Sequence, residues 1–84
     1  MYFVYVLQSL KDYKLYVGYT VNLDLRMKAH NLGTVLSTAN RRPLKLIFYE
    51  CYTNKVDAVR REKYLKTTTG KRALKLMLKE TLGC

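Results

Sequence analysis

Two tyrosines lie near the middle of two short stretches that are rich in β-branched and aromatic residues. Tyr5 lies in FVYVL and Tyr16 in KLYVGYT, with the turn-prone Asp12 between the two stretches. As antiparallel strands of a hairpin, the stretches would make the two phenols cross-strand neighbours, although packing is the commoner role of tyrosine. A phenol has an ordinary pKa of about 10, so it acts as a base only where a cation stabilises the phenolate. Gly18, a glycine within the second strand, would let a ligand or another backbone approach closely.

Glu62 is the acidic residue with the most unusual surroundings. Its neighbours at i−4, i−3 and i+3 are Ala58, Val59 and Leu65, so its carboxylate lies on the apolar face of a predicted helix. A carboxylate in such a place needs a partner, because burying an unpaired charge is very unfavourable. Periodicity alone favours a structural ion pair with an arginine slightly over a metal ligand. Metal-assisted cleavage of a phosphodiester would require such a fixed carboxylate.

Arg26 and His30 form the second candidate group. They are four residues apart in a predicted helix, so they share one of its faces, beside the apolar stripe. A guanidinium there could stabilise the negative charge that builds on a phosphate during attack. A lone histidine is more often a partly buried polar residue, and only the proximity to Arg26 makes His30 a site candidate.

The charge of the chain indicates a polyanionic partner. Sixteen Lys and Arg residues against six Asp and Glu residues give a net charge of +10, which favours nucleic acid first and an anionic membrane surface second. No apolar run approaches the roughly 20 residues that cross a bilayer, which predicts no membrane span. The basic residues expected to contact phosphates include Arg41, Arg42, Lys66, Lys71 and Arg72.

The length and the cysteines limit the architecture and the compartment. Eighty-four residues suffice for one domain, over residues 1–84. Cys51 and Cys84 lack the spacing of a zinc site, and the simplest interpretation is a reduced pair in a cytoplasmic protein, with a disulfide as the alternative.

Periodicity and end signals predict the elements that position these groups. The first nineteen residues predict a hairpin, and the segment from Asn22 to Gly33 predicts a helix with a cap at its start and a left-handed stop at its end. Leu25, Ala29 and Leu32 share one face of this helix and are expected to pack inward.

The second half of the chain predicts one more strand and two more helices. Residues 44–53 are apolar enough to form the central strand of the sheet. Asn54 can cap a helix that runs to about residue 66, and TTTG at 67–70 is expected to end it. In a last helix from residue 71, Leu74, Met77 and Leu78 are expected to face inward. The order ββαβαα predicts an α+β domain.

Taken together, these segments resemble the GIY-YIG nuclease superfamily, in its small single-domain branch, which is similar to the N-terminal nuclease domain of the excinuclease C subunit. FVYVL matches the first signature, with Phe3 in place of its glycine, and YVG matches the second. Arg26 follows ten residues after Tyr16, and RRPLKLIFYE and AVRREKYLK complete the order. Many members carry an asparagine after the glutamate, whereas this chain has none beyond Asn54.

The resemblance implies a three-stranded antiparallel sheet flanked by helices and a metal-dependent endonuclease that hydrolyses phosphodiester bonds in DNA. Glu62 would hold one divalent cation, Mg²⁺ or Mn²⁺. Tyr5 would be the base for the attacking water, with Tyr16 supporting it or sharing that role, and Arg26 would stabilise the scissile phosphate beside His30. Branched or damaged DNA, a repair setting and a repair protein as partner would suit such an enzyme.

Other functions stay open on the sequence. A non-catalytic nucleic-acid-binding module on the same scaffold is the main alternative, and a membrane-surface or protein-interaction adaptor is the third class. RNA is not excluded as a substrate, and the chain is expected to be a monomer or a weak dimer. The retained Glu62 favours the enzyme, because a carboxylate weakens attraction to phosphate and a pure binder has no use for it.

Overall fold

Three strands rich in β-branched and aromatic residues form one antiparallel sheet in the computed structural model, which describes residues 1–83. In the order of the sheet these are β2 (Leu15–Thr20), β1 (Tyr2–Ser9) and β3 (Leu44–Tyr52). The α+β class, the hairpin and the element order are therefore confirmed. The central position of the third strand is wrong, because β1 is the strand with consecutive buried residues on both faces, from Val4 to Leu7. In β3, exposed side chains interrupt the apolar ones, as suits an edge strand.

Each face of β1 packs against a different helical layer. Val4 and Val6 point to the face covered by α2 (Lys55–Leu65) and α3 (Thr68–Met77). Tyr5 and Leu7 point to the opposite face, which α1 (Leu23–Leu32) covers. The alternation of a β-strand thus places the Tyr5 phenol on the α1 side of the sheet.

The ends of α1 are as expected, but its buried face is not. The Asn22 side chain accepts a hydrogen bond from the Leu25 amide at 3.1 Å, and Gly33 has the left-handed φ of 80° that ends the helix. Leu25 and Leu32 are nevertheless 64% and 73% exposed, so the inward face predicted through them and Ala29 is wrong.

A second stripe with the same i, i+4, i+7 spacing faces the sheet instead. Leu23 and Met27 pack against the core around Tyr5, and His30 is 4% exposed. Periodicity could not predict which of the two stripes is buried. A count of apolar residues does not include a histidine, although His30 is buried because it has polar partners.

The break between the last two helices is shorter than the sequence suggests. Asn54 caps α2 as expected by accepting from the Val56 amide at 2.8 Å. The Thr67 hydroxyl accepts from the Gly70 amide at 3.0 Å, so α3 starts at Thr68 and Gly70 lies inside it. The end of the first of these helices near residue 66 and the break after it are confirmed, but the break covers 66–67 rather than 67–70, and the predicted start at 71 is wrong.

α3 packs through fewer residues than predicted. Leu74 and Leu78 are buried as expected, whereas Met77 is 49% exposed and its predicted inward position is wrong. Leu74 and Leu78 are four residues apart and share the face toward the core, whereas Met77 lies to the side of that face.

The connection between α1 and β3 contains a short 3₁₀ turn, Ala39–Arg41, which a buried serine ties to the hairpin. The Ser9 hydroxyl donates to the Arg41 carbonyl at 2.7 Å and accepts from the amides of Lys11 and Asp12 at 3.1 Å and 3.3 Å. These bonds hold the connection against the sheet near the predicted site.

The structure bears on two further expectations, the absence of a membrane span and the state of the cysteines. No helix within residues 1–83 has the length and apolar character needed to cross a membrane. Cys51 is a free and exposed thiol on β3, while Cys84, and with it the disulfide alternative, lies outside the described residues.

Candidate active site

One pocket of about 160 Å³ brings together all of the side chains predicted to do chemistry. They come from every layer of the fold: one phenol from the central strand β1, another from the edge strand β2, an arginine and a histidine from α1, and a carboxylate from α2. The residues are Tyr5, Tyr16, Arg26, His30 and Glu62. Gly18, Thr38 and Lys66 also line the pocket.

The two tyrosines are diagonal neighbours rather than directly opposite ones. In the β1–β2 register Tyr5 lies opposite Gly18, and Tyr16 lies opposite Leu7. Both phenols therefore share the α1 face of the sheet, two residues apart on the β2 side. An ideal Cβ on Gly18 would be 2.3 Å from both Cζ and Oη of Tyr5. The absence of a side chain at Gly18 thus makes room for the Tyr5 ring. The sequence analysis expected a ligand or another backbone in that space.

If the pocket has the nuclease activity that the resemblance implies, we expect Gly18→Ala to reduce cleavage by roughly 100-fold, the usual cost of displacing a catalytic group by about 1 Å. The Tyr5 ring is 2% exposed, so it cannot move into solvent to avoid the new methyl group. Single-turnover cleavage and a thermal melt of the same preparation measure activity and stability together. Wild-type activity in a folded Gly18→Ala protein would mean that the position of the Tyr5 ring is unimportant.

Two side chains of α1 contact the Tyr5 hydroxyl. Arg26 Nε donates to Tyr5 Oη at 3.3 Å, and His30 Nε2 lies 2.9 Å from the same oxygen. The spacing i, i+4 places Arg26 and His30 one turn apart, as the sequence predicts. The phenol is held between a permanent cation and an imidazole.

A residue that the sequence analysis missed completes this network. His30 Nδ1 lies 2.7 Å from Thr38 Oγ1, and Thr38 is 1% exposed. The Thr38 hydroxyl also reaches the Val35 carbonyl at 3.5 Å. Thr38 lies in a polar connection without periodicity, so no pattern in the sequence distinguishes it. Burial first, and the nearby charge of Arg26 second, lower the pKa of His30 below its ordinary value, which favours the neutral ring.

Glu62 is partnered by a lysine, not by the arginine that the structural alternative predicted. Its carboxylate lies 3.1 Å from Lys66 Nζ, one turn further along α2, and 19% of its side chain is exposed. The adjacent Arg61 pairs instead with Glu50 on β3, with an Nε–Oε1 distance of 3.0 Å. Glu62 is thus the acidic group that lines the pocket, and it remains open to solvent there.

The donor set of the pocket suits a hard cation with a mostly aqueous shell. No group of three or more His, Cys, Asp or Glu side chains that could hold a metal occurs within residues 1–83. Mg²⁺ commonly binds through one or two carboxylates and keeps waters or phosphate oxygens in its other positions. A single carboxylate beside an open pocket fits that preference, and the basic Arg26 and Lys66 would suit the phosphate.

The residues predicted to contact phosphates occupy different places. Lys66 lines the pocket, and the Arg41 guanidinium pairs with Asp12 and lies 5.8 Å from the ring centroid of Tyr16. Arg42 donates through Nε to the Ala39 carbonyl at 2.9 Å. The remaining two lie on α3: Lys71, which lines a second pocket, and Arg72, which is exposed.

Comparison with known proteins gives a consistent family. The model of the GIY-YIG catalytic domain matches residues 1–75. A UPF0213 protein of Clostridium perfringens is 41% identical over 83 residues, which cover 98% of this chain and 88% of the relative. A UPF0213 protein of Staphylococcus haemolyticus is 38% identical over 77 residues, covering 90% of this chain and 93% of the relative.

A solved structure extends the likeness to three dimensions. The solution NMR structure of a UPF0213 protein from Bacillus halodurans has a TM-score of 0.57 and 32% sequence identity, covering 92% of this chain and 85% of that one. The chain therefore belongs to the GIY-YIG family and, within it, to the group of small UPF0213 proteins.

Proposed function

We propose that this protein is an endonuclease that hydrolyses phosphodiester bonds in DNA with the help of a divalent metal ion. The convergence of Tyr5, Tyr16, Arg26, His30 and Glu62 in one solvent-open pocket supports the proposal most strongly. Membership in a family whose matching model is a catalytic domain supports it independently.

Glu62 would hold the metal ion, Mg²⁺ or Mn²⁺. When bound, such an ion would supply Lewis-acid stabilisation of the phosphate and its leaving oxygen. The Lys66 side chain is 54% exposed, so its ammonium can leave the carboxylate and contact a phosphate oxygen instead. Because only 19% of the Glu62 side chain is exposed, the carboxylate would still need a partner after this exchange, and the bound cation would be that partner.

Tyr5 would be the group that takes the proton of the attacking water. Arg26 Nε can only donate, so the phenol oxygen accepts from it and the phenol hydrogen remains available for His30 Nε2. The Thr38 hydroxyl has the Val35 carbonyl as its own acceptor, so Nδ1 of His30 carries the ring hydrogen and donates to Thr38. His30 Nε2 is then bare, and it can receive the phenol proton while Tyr5 receives the proton of water.

Arg26 would stabilise charge at two stages. Its Nε bond would stabilise the negative charge that develops on the Tyr5 oxygen as the proton leaves. Its remaining N–H groups form no hydrogen bond or ion pair within residues 1–83, so they can face a phosphate. Tyr16 lies beside the Arg41 guanidinium and would assist at the rim of the pocket.

We expect cleavage to fall at acid pH with a midpoint below 6.5, the ordinary pKa of histidine. The pKa of His30 is lowered, so the ring stays neutral through neutral pH and protonates only in more acidic solution. The protonated ring carries a hydrogen on Nε2 and cannot accept one from Tyr5, so the rate is lost as pH decreases. Single-turnover rates from about pH 5 to pH 8 measure the midpoint.

His30→Gln is the control for this pH profile. A glutamine can accept from Tyr5 but does not titrate, so the variant is expected to be slower and to lose this acid limb. A midpoint above 6.5 in the wild-type protein, or an unchanged limb in His30→Gln, would contradict the assignment.

The substrate preference and setting extend this proposal. Branched or damaged DNA, a role in repair with a repair protein as partner, a cytoplasmic location and a monomeric or weakly dimeric state suit a small basic nuclease domain. RNA remains a second substrate class to test.

A non-catalytic nucleic-acid-binding module is the main competing function. Supercoiled plasmid, circular single strands and branched DNA, each incubated with Mg²⁺, with Mn²⁺ or with EDTA, separate the two functions. The nuclease proposal predicts metal-dependent nicking of at least one substrate. Tight binding of all three without cleavage of any would favour the binding module.

A further inference from the structure

A second basic pocket, separate from the candidate active site, lies where the β1–β2 turn meets α3. It has a volume of about 300 Å³ and is lined by Tyr13, Lys14, Leu15, Lys71 and Lys75. Three lysines thus line the pocket together with an exposed aromatic side chain and an apolar one, and no acidic residue among residues 1–83 lines it. We call it the lysine pocket.

Within residues 1–83, ion pairs do not neutralise the charges of the lysine pocket, and the same holds for most other basic side chains of that part of the chain. Four of the six acidic side chains form ion pairs, with Arg41, Arg60, Arg61 and Lys66. The three lysines of the pocket form none of these pairs. Their positive potential is therefore available to an external anion.

Tyr13 has a backbone conformation that its side chain does not favour. Its φ is 62°, in the left-handed region where glycine and asparagine are common and aromatic residues are rare. The conformation is fixed by the turn, because the Tyr13 amide donates to the Ser9 carbonyl at 2.8 Å. Burial of the side chain does not offset this strain, since Tyr13 is 69% exposed. An outward aromatic ring at such a position indicates a binding role.

The lysine pocket and the candidate active site lie along the same edge of the sheet. Leu15 lines the lysine pocket, and Val17, two residues further along β2 on the same face of the sheet, lines the candidate active site. β2 is an edge strand, so no further strand covers this path. From Leu15 to Gly18 a strand advances about 10 Å, roughly the length of three stacked nucleotides.

We infer that the lysine pocket binds an unpaired segment of the nucleic acid next to the cleavage site. Tyr13 stacks on one base, and the lysines contact the flanking phosphates. A base offers its face for stacking only when it is unpaired, so the substrate class is nucleic acid with a single-stranded segment beside the scissile bond. The inference rests on the proposed nuclease function for the cleavage site, but the binding it describes requires no metal.

Fluorescence anisotropy with a labelled single-stranded oligothymidylate, in EDTA, tests this binding in the absence of cleavage. Tyr13→Asn suits the left-handed backbone, so the variant is expected to fold and to bind roughly five- to one-hundredfold more weakly, the range for loss of one stacked base. Tyr13→Phe keeps the ring and is expected to keep most of the affinity. Unchanged binding by a folded Tyr13→Asn protein would overturn the inference.

A matched pair of lysine variants tests the phosphate contacts. Lys71→Gln with Lys75→Gln should lower the slope of log affinity against log salt by about 1.4, since each phosphate contact on a single strand contributes about 0.7. Lys55→Gln with Lys63→Gln removes the same charge from a groove on α2 that contains no aromatic ring, and is expected to change the slope less. Equal changes in the two double variants would mean diffuse attraction and would overturn the inference.

Two further results separate this inference from the nuclease proposal and from a membrane role. Tyr13-dependent binding without any cleavage would support the inference about the lysine pocket and refute the nuclease proposal. Metal-dependent cleavage that does not change when Tyr13 is replaced would support the nuclease proposal and overturn the inference. Stronger capture by phosphatidylserine vesicles than by the oligonucleotide at one ionic strength would assign the pocket to a membrane surface and overturn the inference.

Discussion

Glu62→Gln is expected to reduce metal-dependent cleavage by about 100- to 10,000-fold, the range that corresponds to several kcal/mol of transition-state stabilisation by a bound metal ion. The amide has the shape of the carboxylate but no charge, so it cannot hold a divalent cation. Removing a negative charge beside the phosphate should leave DNA affinity equal or increased. Single-turnover cleavage and binding in EDTA measure the two quantities separately.

Glu80→Gln is the matched control, because it removes the same charge from an exposed position outside the pocket. It is expected to cleave at the wild-type rate. If Glu62→Gln retained more than about a tenth of the wild-type rate, Glu62 would not be the metal ligand and its ion pair with Lys66 would be its main role.

Tyr5→Phe is expected to reduce cleavage by about 100- to 10,000-fold, the usual contribution of general-base catalysis. The substitution removes only the hydroxyl, which contacts His30 Nε2 at 2.9 Å and accepts from Arg26 Nε at 3.3 Å. The ring can still pack across Gly18. Leaving the buried His30 without this partner should also destabilise the fold by about 1–3 kcal/mol. Single-turnover cleavage below the melting temperature of the variant isolates the catalytic loss.

Two conservative variants test whether this effect is specific to Tyr5. Tyr16→Phe is expected to have a smaller effect, because Tyr16 contributes at the rim of the pocket. Tyr2 does not line the pocket, and Tyr2→Phe keeps the ring that stacks on the pocket residue Tyr19, with 6.4 Å between centroids, so it should leave cleavage unchanged. A larger loss in Tyr16→Phe than in Tyr5→Phe would mean that the two phenols exchange roles.

Local sequence signals were sufficient to predict which helices and strands form and five of the residues that line the pocket, but not Thr38. Composition rich in β-branched and aromatic residues located the strands, and Asn22, Gly33 and Asn54 set helix ends by short-range hydrogen bonding and backbone preference. Glu62 could be found because a charged residue on an apolar stripe violates the pattern around it. Tyr5 and Tyr16 were found because a hairpin fixes which residues are neighbours, although the register makes them diagonal.

Features that depend on tertiary packing could not be predicted in this way. The central position of β1 follows from burial on both faces, whereas the composition of β3 is equally apolar. The inward face of α1 depends on His30 meeting Tyr5 and Thr38, which come from distant parts of the chain. The lysine partner of Glu62, in contrast, is local: Lys66 follows four residues later in the sequence, but the sequence analysis considered only an arginine as the partner.

Nicking of supercoiled plasmid by wild-type and Glu62→Gln proteins, purified in parallel, is the most direct measurement of whether this pocket is a metal-dependent nuclease site. The account predicts open circles with the wild-type protein in Mg²⁺ or Mn²⁺, none in EDTA, and none above background with Glu62→Gln in either metal. Equal nicking by the two proteins, or an intact plasmid with wild-type protein bound to it in both metals, would contradict the account.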